Sequence, residues 1–439
     1  MQQSRIKLIR SRTMIRCWWD CSIKDRDDNR YKCVKNVNCD NDIKQTFQYT
    51  RWFLTFLGIW PITKSSDSSA GGSRRISFII ILTCTVMIVF TFIPGALHTA
   101  FREKKPLRRL ILMGPVSSSF ASFLKYALMV LRAKDIKKCV EKIENNWITC
   151  ESENELAIMR RNATIGRGIT IVCSLFLYTG GMSYHTILPI LKGSKINEYN
   201  VTIRPLVYPG YDIFIDPQAS PTYEILFFLI CVSAFVRYTV TITICNLAAV
   251  FVSHVCGQIE IVILRLNILF DGIVDADEQC RKIIEKRLSL AIQCHARSLR
   301  LTFHIDRALR DIFLIEVVAS TGIICLLEYY LMTVWNNSEI IAIMTYFILL
   351  TSYVFNIFIL CHIGELLKGQ FQKIGRAAYM IDWPRLSEKN GLAIVPIMAV
   401  SNSSRQLTAG HMMEFSMSSF GIIMKTSVMY LNMLRAIAV

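Results

Sequence analysis

Seven long apolar runs divide this chain, and no other feature restricts its fold as much. They span roughly residues 76–97 (ISFIIILTCTVMIVFTFIPGAL), 110–131, 168–191, 223–256, 312–335, 339–366 and 411–435. A helix needs about 20 apolar residues to cross the hydrocarbon core of a bilayer. Inside lipid every backbone N–H and C=O must find its partner within the chain, so helices are the economical way across. The expected fold class is an all-α membrane protein with seven transmembrane helices. Composition agrees, since 52% of the 439 residues are hydrophobic, above the usual share for a soluble domain. The second run is the most polar, broken by Ser117, Ser118, Ser119 and Lys125. The fourth and sixth are too long for one crossing, so their tails are expected to run on as helices into water.

Lysine and arginine set the orientation. Loops 132–167, 257–311 and 367–410 hold 8, 9 and 6 of them, while loops 98–109, 192–222 and 336–338 hold 5, 3 and 0. That is 23 against 8, and residues 1–75 add 15 to the richer side. Basic loops stay in the cytosol, so the N-terminus is expected inside and the C-terminus outside. The formal charge of +17 would suggest nucleic acid on a soluble protein; here it follows from the basic loops, and no nucleic-acid partner is expected. The start, MQQSRIKLIRSRTMIRCWWD, lacks the unbroken apolar core of a signal peptide. None of the 15 cysteines falls in an external loop, so no structural disulfide is expected. Cys17, Cys21, Cys33 and Cys39 cluster near the N-terminus without the C-x-x-C pairing of a zinc site, and neither metal nor cofactor is expected. Asn200 opens an Asn-Val-Thr glycosylation acceptor in an external loop.

The chain has no H-E-x-x-H, P-loop, G-x-S-x-G or G-x-G-x-x-G, and it is not expected to be an enzyme. Its chemistry should lie in polar groups inside the helices. Arg237 sits about 14 residues into the fourth run. A charge at such depth costs about 2.5–3.5 kcal/mol or more, so it should meet a carboxylate or a wet cavity. Glu316 and Glu328 lie near the ends of the fifth run, where the interface is within reach. Tyr178, Tyr184, Phe228, Phe235, Tyr329 and Tyr330 crowd the outer halves of several helices. Each alone reads as packing or an interfacial anchor; together they could line an apolar cavity for a small ligand. Below the membrane, Ile292, Leu299, Phe303 and Leu309 fall near one helical face, which must pack on something within or between subunits.

Three stretches carry a resemblance to the insect odorant receptor family. RPLVYPGYDIFIDPQASPTYEILFFLI (204–230) is similar to its external loop and fourth helix. FNIFILCHIGELLKGQFQKIGRAAYMIDWPRL (355–386) resembles its sixth helix and cytosolic turn, with Cys361, Gly364, Glu365, Ala378, Tyr379 and Trp383 in place. LTAGHMMEFSMSSFGIIMKTSVMYLNMLR (407–435) resembles its C-terminus. The likeness runs from about Tyr49 to Arg435. It divides the chain into a cytosolic tail (1–48), a seven-helix domain (49–435), cytosolic helical anchor portions (257–311 and 367–410) and a pore-lining seventh helix (411–439). Residues 1–45 extend beyond the family's usual start, with Met14 as an alternative.

What the resemblance implies is an odorant-gated, non-selective cation channel in the plasma membrane of a sensory dendrite. This chain would be the ligand-tuning subunit of a heterotetramer with the odorant receptor co-receptor. A small volatile hydrophobic ligand would bind among Tyr178, Tyr184, Phe228, Phe235 and Tyr330, roofed by 204–222. Met433 and Ile437 would form the apolar gate, with Lys425 and Tyr430 along the pore. His295, Tyr379 and Trp383 would belong to the anchor. A gustatory receptor-type channel is the nearest alternative, although the chain lacks that family's terminal Gln-Phe. A G-protein-coupled receptor would have the reverse orientation and D-R-Y or N-P-x-x-Y motifs, and a transporter would show inverted repeats.

Overall fold

The computed structural model describes residues 38–60, 70–150, 152–193, 195–196, 202–204, 206–213, 215–273, 278–336, 340–402 and 406–438. Cys17, Cys21, Cys33, Met14 and Asn200 lie outside the described residues. A long helix covers most of each of the seven runs. We label them α1 (Ala70–Leu97), α2 (Pro106–Leu131), α3 (Glu153–Met182), α4 (Thr222–Asn267), α5 (Glu278–Asn336), α6 (Ile340–Tyr379) and α7 (Met417–Ala438). Five of them, α1, α3, α4, α5 and α6, are long and apolar enough to cross a bilayer. The other two carry polar side chains within their apolar runs. In α2, Ser119, Ser122 and Lys125 turn inward and are buried, while Ser117 is exposed.

The helices differ in how much protein surrounds them. Only 22% of the most apolar stretch of α1 is covered, against 61% for α4. Phe78, Ile79, Leu82 and Val86 of α1 point outward, as residues facing lipid should. By contrast, every residue of α4 from Val236 to Ile259 is buried. At 1.5 Å per residue its 46 residues reach about 69 Å, more than twice the hydrocarbon thickness. The expected tail does continue as helix, but protein rather than water encloses it. Cys39–Thr46, Gln48–Phe56, Ala133–Ile148 and Glu388–Asn402 form shorter helices, and they join the lower halves of α4, α5 and α6 in one continuous core. Ile292, Leu299 and Leu309 pack there, whereas Phe303 is half exposed, at 50%, and leaves the expected face.

The seventh run begins as a hairpin rather than a helix. Thr408–Ala409 pairs with Met413–Glu414, and α7 starts only at Met417. The reason is local: Gly410 and His411 both take φ near +60°, a conformation that closes turns and breaks helices. Asp306 of α5 holds the hairpin by accepting from the Thr408 N–H (2.9 Å) and hydroxyl (2.8 Å). The chain then passes α6 so closely that a Cβ on Gly364 would stand 2.3 Å from the Phe415 carbonyl oxygen.

Candidate functional site

Two polar sites lie between helices that the sequence makes apolar. The first is an ion pair. Lys125 Nζ of α2 donates to Glu316 Oε2 of α5 at 2.8 Å and to Thr241 Oγ1 of α4 at 2.8 Å. The other carboxylate oxygen, Oε1, accepts from Asn356 Nδ2 of α6 at 2.7 Å and from Ser320 Oγ at 3.1 Å. Three helices, α2, α5 and α6, thus meet at one carboxylate, and α4 joins them through the lysine ammonium. Glu316 is 1% exposed, so it does not reach an interface as its position near a run's end suggests. Burial of both charges is tolerable because each has its counter-ion and its remaining hydrogen bonds.

The second site is a cavity between α2, α3, α4, α5 and α6, beside the loop that follows residue 204. It contains ≈ 360 Å³ of space between atoms, of which ≈ 30 Å³ admits the centre of a water molecule. Water or the tip of a small molecule fits as it stands; anything larger must move a wall. The walls are mainly tyrosine rings: Tyr184, Tyr208, Tyr238, Tyr330 and Tyr353. Tyr208 descends from the loop and is fully buried, its hydroxyl 3.1 Å from Ser119 Oγ. Tyr330 donates to the carbonyls of Leu110 (2.7 Å) and Ile111 (2.9 Å). The Ile111 carbonyl lacks a helical partner because residue 115 is proline and has no N–H, so the Tyr330 hydroxyl fills that place. Gly181 lets α4 approach α3, since a Cβ there would lie 2.2 Å from the Tyr238 ring.

Arg237 reaches this cavity and is 2% exposed. Its Nη1 donates to Ser119 Oγ (3.0 Å), and its Nη2 bonds His185 Nε2 (2.9 Å). Its guanidinium also lies 5.3 Å from the centre of the Tyr208 ring. The bonding assigns the histidine tautomer. Arginine only donates, so Nε2 must accept; Nδ1, 2.9 Å from the Gly181 carbonyl, must then carry the proton. His185 is therefore neutral. A single turn of π-helix, Ser183–Ile187, sets its orientation; such turns often mark functional positions. Arg237 has thus met the cavity, and no carboxylate among the described residues pairs with it.

Of the five aromatics expected to line a pocket, Tyr184 and Tyr330 do. Tyr178 and Phe235 stack on one another with centroids 5.1 Å apart, and Phe235 meets Phe56 edge-on. They form a separate cluster away from the cavity lining. Phe228 is 66% exposed on the outer face of α4 and is not part of the cavity lining. Tyr208, His185, Tyr238 and Tyr353 were not singled out. Helix arithmetic from Arg237 carried a usable signal. Phe228 is nine residues earlier and Phe235 two, which at 100° per residue places both on roughly the opposite face, while Tyr238 is the neighbour of Arg237.

The expected pore and anchor residues lie elsewhere. On α7, Lys425, Tyr430 and Met433 are exposed, and Thr426 is half-buried. Ser427 is buried and donates to Glu328 Oε1 of α5 at 3.4 Å. Leu431 and Leu434 pack inward. Ile437 lies on the last turn of α7. His295 is fully buried, edge-on to Phe371, with both ring nitrogens lacking partners among the described residues. Trp383 Nε1 donates to the Tyr379 carbonyl at 2.9 Å, and the Tyr379 ring is exposed.

Known proteins give this geometry a context. Residues 112–428 match the family described as 7tm Odorant receptor. Odorant receptor 85c of Drosophila melanogaster is 21% identical over 401 residues, covering 88% of this chain and 98% of its own. Putative odorant receptor 92a of the same organism is 21% identical over 333 residues, covering 72% and 76%. The solved structure of the olfactory receptor OR5 from Machilis hrabei superposes with a TM-score of 0.69 at 13% identity, over 89% of this chain and 99% of that one. Its complex with eugenol gives 0.68 at 11% identity, over 90% and 100%. By the match over most of its length, this chain belongs to the odorant receptor family and is a multi-pass, all-α membrane protein.

Proposed function

We propose that this chain is an odorant-gated subunit of a non-selective cation channel, assembled with the odorant receptor co-receptor as a heterotetramer in the plasma membrane of a sensory dendrite. The observation that carries the reading is the tyrosine-lined cavity with a few convergent polar groups, the form small-molecule sites usually take. The part of α7 that its own chain leaves uncovered supports a role between subunits. With the orientation expected from the basic loop counts, the cavity would lie in the outer half of the membrane, near incoming odorant. The odorant receptor OR5 of Machilis hrabei has been solved with eugenol, and a small aromatic of that kind is a reasonable first probe here.

The test is co-expression with the co-receptor and whole-cell recording over a broad odorant panel. Tyr184→Ala removes a cavity wall whose hydroxyl makes no hydrogen bond among the described residues, so folding should survive. It should shift the potency of the best odorants by tenfold or more, the effect of about 1.4 kcal/mol of lost contact. Phe228→Ala, on the outer face, should leave the profile as it was. If both variants behave alike, the ligand binds elsewhere. Orientation is checked separately: a tag after Val439 should stain on intact cells, and one before Met1 only after permeabilisation. The reverse staining would remove the channel reading, because the gate and the loop would exchange sides.

A further inference from the structure

We infer that the ligand of this cavity carries a carboxylate, bound by Arg237, and that short-chain carboxylic acids are its chemical class. The inference rests on the cavity being the ligand site, as proposed above. It starts from a count of charges. Lys125 and Glu316 cancel one another at 2.8 Å. His185 is neutral by its hydrogen bonds, and the remaining cavity walls are tyrosines, serine, glycine, proline and aliphatic residues. Arg237 is therefore the one uncompensated charge among the described residues that line the cavity, and it is 2% exposed.

Next comes a count of donors. A guanidinium has five N–H groups in a planar fork. Two are used, on Ser119 and His185. The buried Nε has no partner among the described residues. The fork therefore retains donors while its holders fix it in place. A carboxylate accepts two parallel N–H bonds from such a fork, and it also neutralises the buried charge. A ketone, aldehyde or ester would accept one bond and leave the charge unmatched; an alkane would do neither. The tyrosine rings and the Ile323–Leu327 side of α5 then cover the alkyl tail.

The probes are hexanoate, hexanal, hexan-1-ol and hexane. Binding is read as the rise in melting temperature of purified full-length receptor, since a ligand of the native state raises it. Gating is read as current in cells that also express the co-receptor. Hexanoate should stabilise the wild type at the lowest concentration, followed by hexanal. Arg237→Gln should weaken hexanoate by roughly ten- to a hundred-fold, the worth of a charged hydrogen bond, and should leave hexane unchanged. Arg237→Lys should restore part of the loss. Equal stabilisation by hexanoate and hexane in the wild type would overturn the inference, even if no variant folds. So would an acid preference that survives Arg237→Gln. The two readings fail separately. Stabilisation by hexanoate without current from any odorant would remove the channel and leave the acid site. Current from other odorants, sensitive to Tyr184→Ala, with hexanoate inert in both assays, would remove the acid site alone.

Discussion

Replacing Glu316 with Leu should take most of the receptor off the cell surface, and adding Lys125→Met in the same chain should return much of it. The single change leaves Lys125 charged at 6% side-chain exposure with no counter-ion. Removing one partner of a buried pair costs about 3–5 kcal/mol, a large part of the roughly 5–15 kcal/mol that holds a typical domain together. The double change removes both charges and replaces them with apolar groups of similar size, which is often close to neutral. Recovery should be incomplete, because Asn356 Nδ2 loses its 2.7 Å acceptor and Thr241 Oγ1 loses a donor. Surface labelling and the melting temperature of purified protein measure the effect. A tolerated Glu316→Leu would show that the pair is ornamental. A double variant less stable than either single one would show that the apolar replacement fails to fill the site.

That pair also marks the limit of what the sequence discloses. The seven runs, their helical form and their long continuations were legible because lipid imposes length and backbone bonding on each run separately. A partnership between helices has no such local sign. Lys125 and Glu316 stand 191 positions apart. Read singly, one looks like a defect in an apolar run and the other like a residue close enough to water. Arg237 was different, because its depth alone demanded an environment, and the cavity supplied one. Among the aromatics, Tyr330 shares its face with Ile323 and Leu327 by i, i+4 and i+7 spacing, a pattern the sequence does contain. Density alone could not separate it from Phe228. His185 was hidden for a further reason. The π turn at Ser183–Ile187 shifts the register, so counting from Tyr178 at 100° per residue misplaces everything beyond it. Tyr208 comes from a loop, where no periodicity applies.

A cysteine at Met433 should let a cationic thiol reagent, applied outside during odorant opening, suppress the current, while a cysteine at Leu431 should not respond. Burial on α7 supplies the contrast. Leu431 and Leu434 pack into the chain's own core and Ser427 is fully buried, so that side of the helix is closed to solvent by α5 and α6. Val428, Met429, Tyr430 and Met433 are 47%, 60%, 46% and 61% exposed. This uncovered arc has only three possible neighbours: lipid, another subunit or a pore. Val428 shares the arc and should respond with it, so Leu431 is the silent control. The sign of the reagent's charge decides among the neighbours. At an effective dielectric near 20, a fixed positive charge about 4 Å from a passing cation adds about 4 kcal/mol to its path, enough to stop conduction. An anionic reagent of the same size adds bulk without that repulsion and should reduce the current less. A lipid-facing Met433 would react slowly with both and change nothing. A site between subunits would respond to bulk regardless of sign. The α7 backbone continues one turn to Ile437, the other expected gate position, and a cysteine there should show the same charge preference nearer the mouth. Equal suppression by both reagents at Met433 and Ile437 would place this arc in a subunit contact and move the gate to another helix.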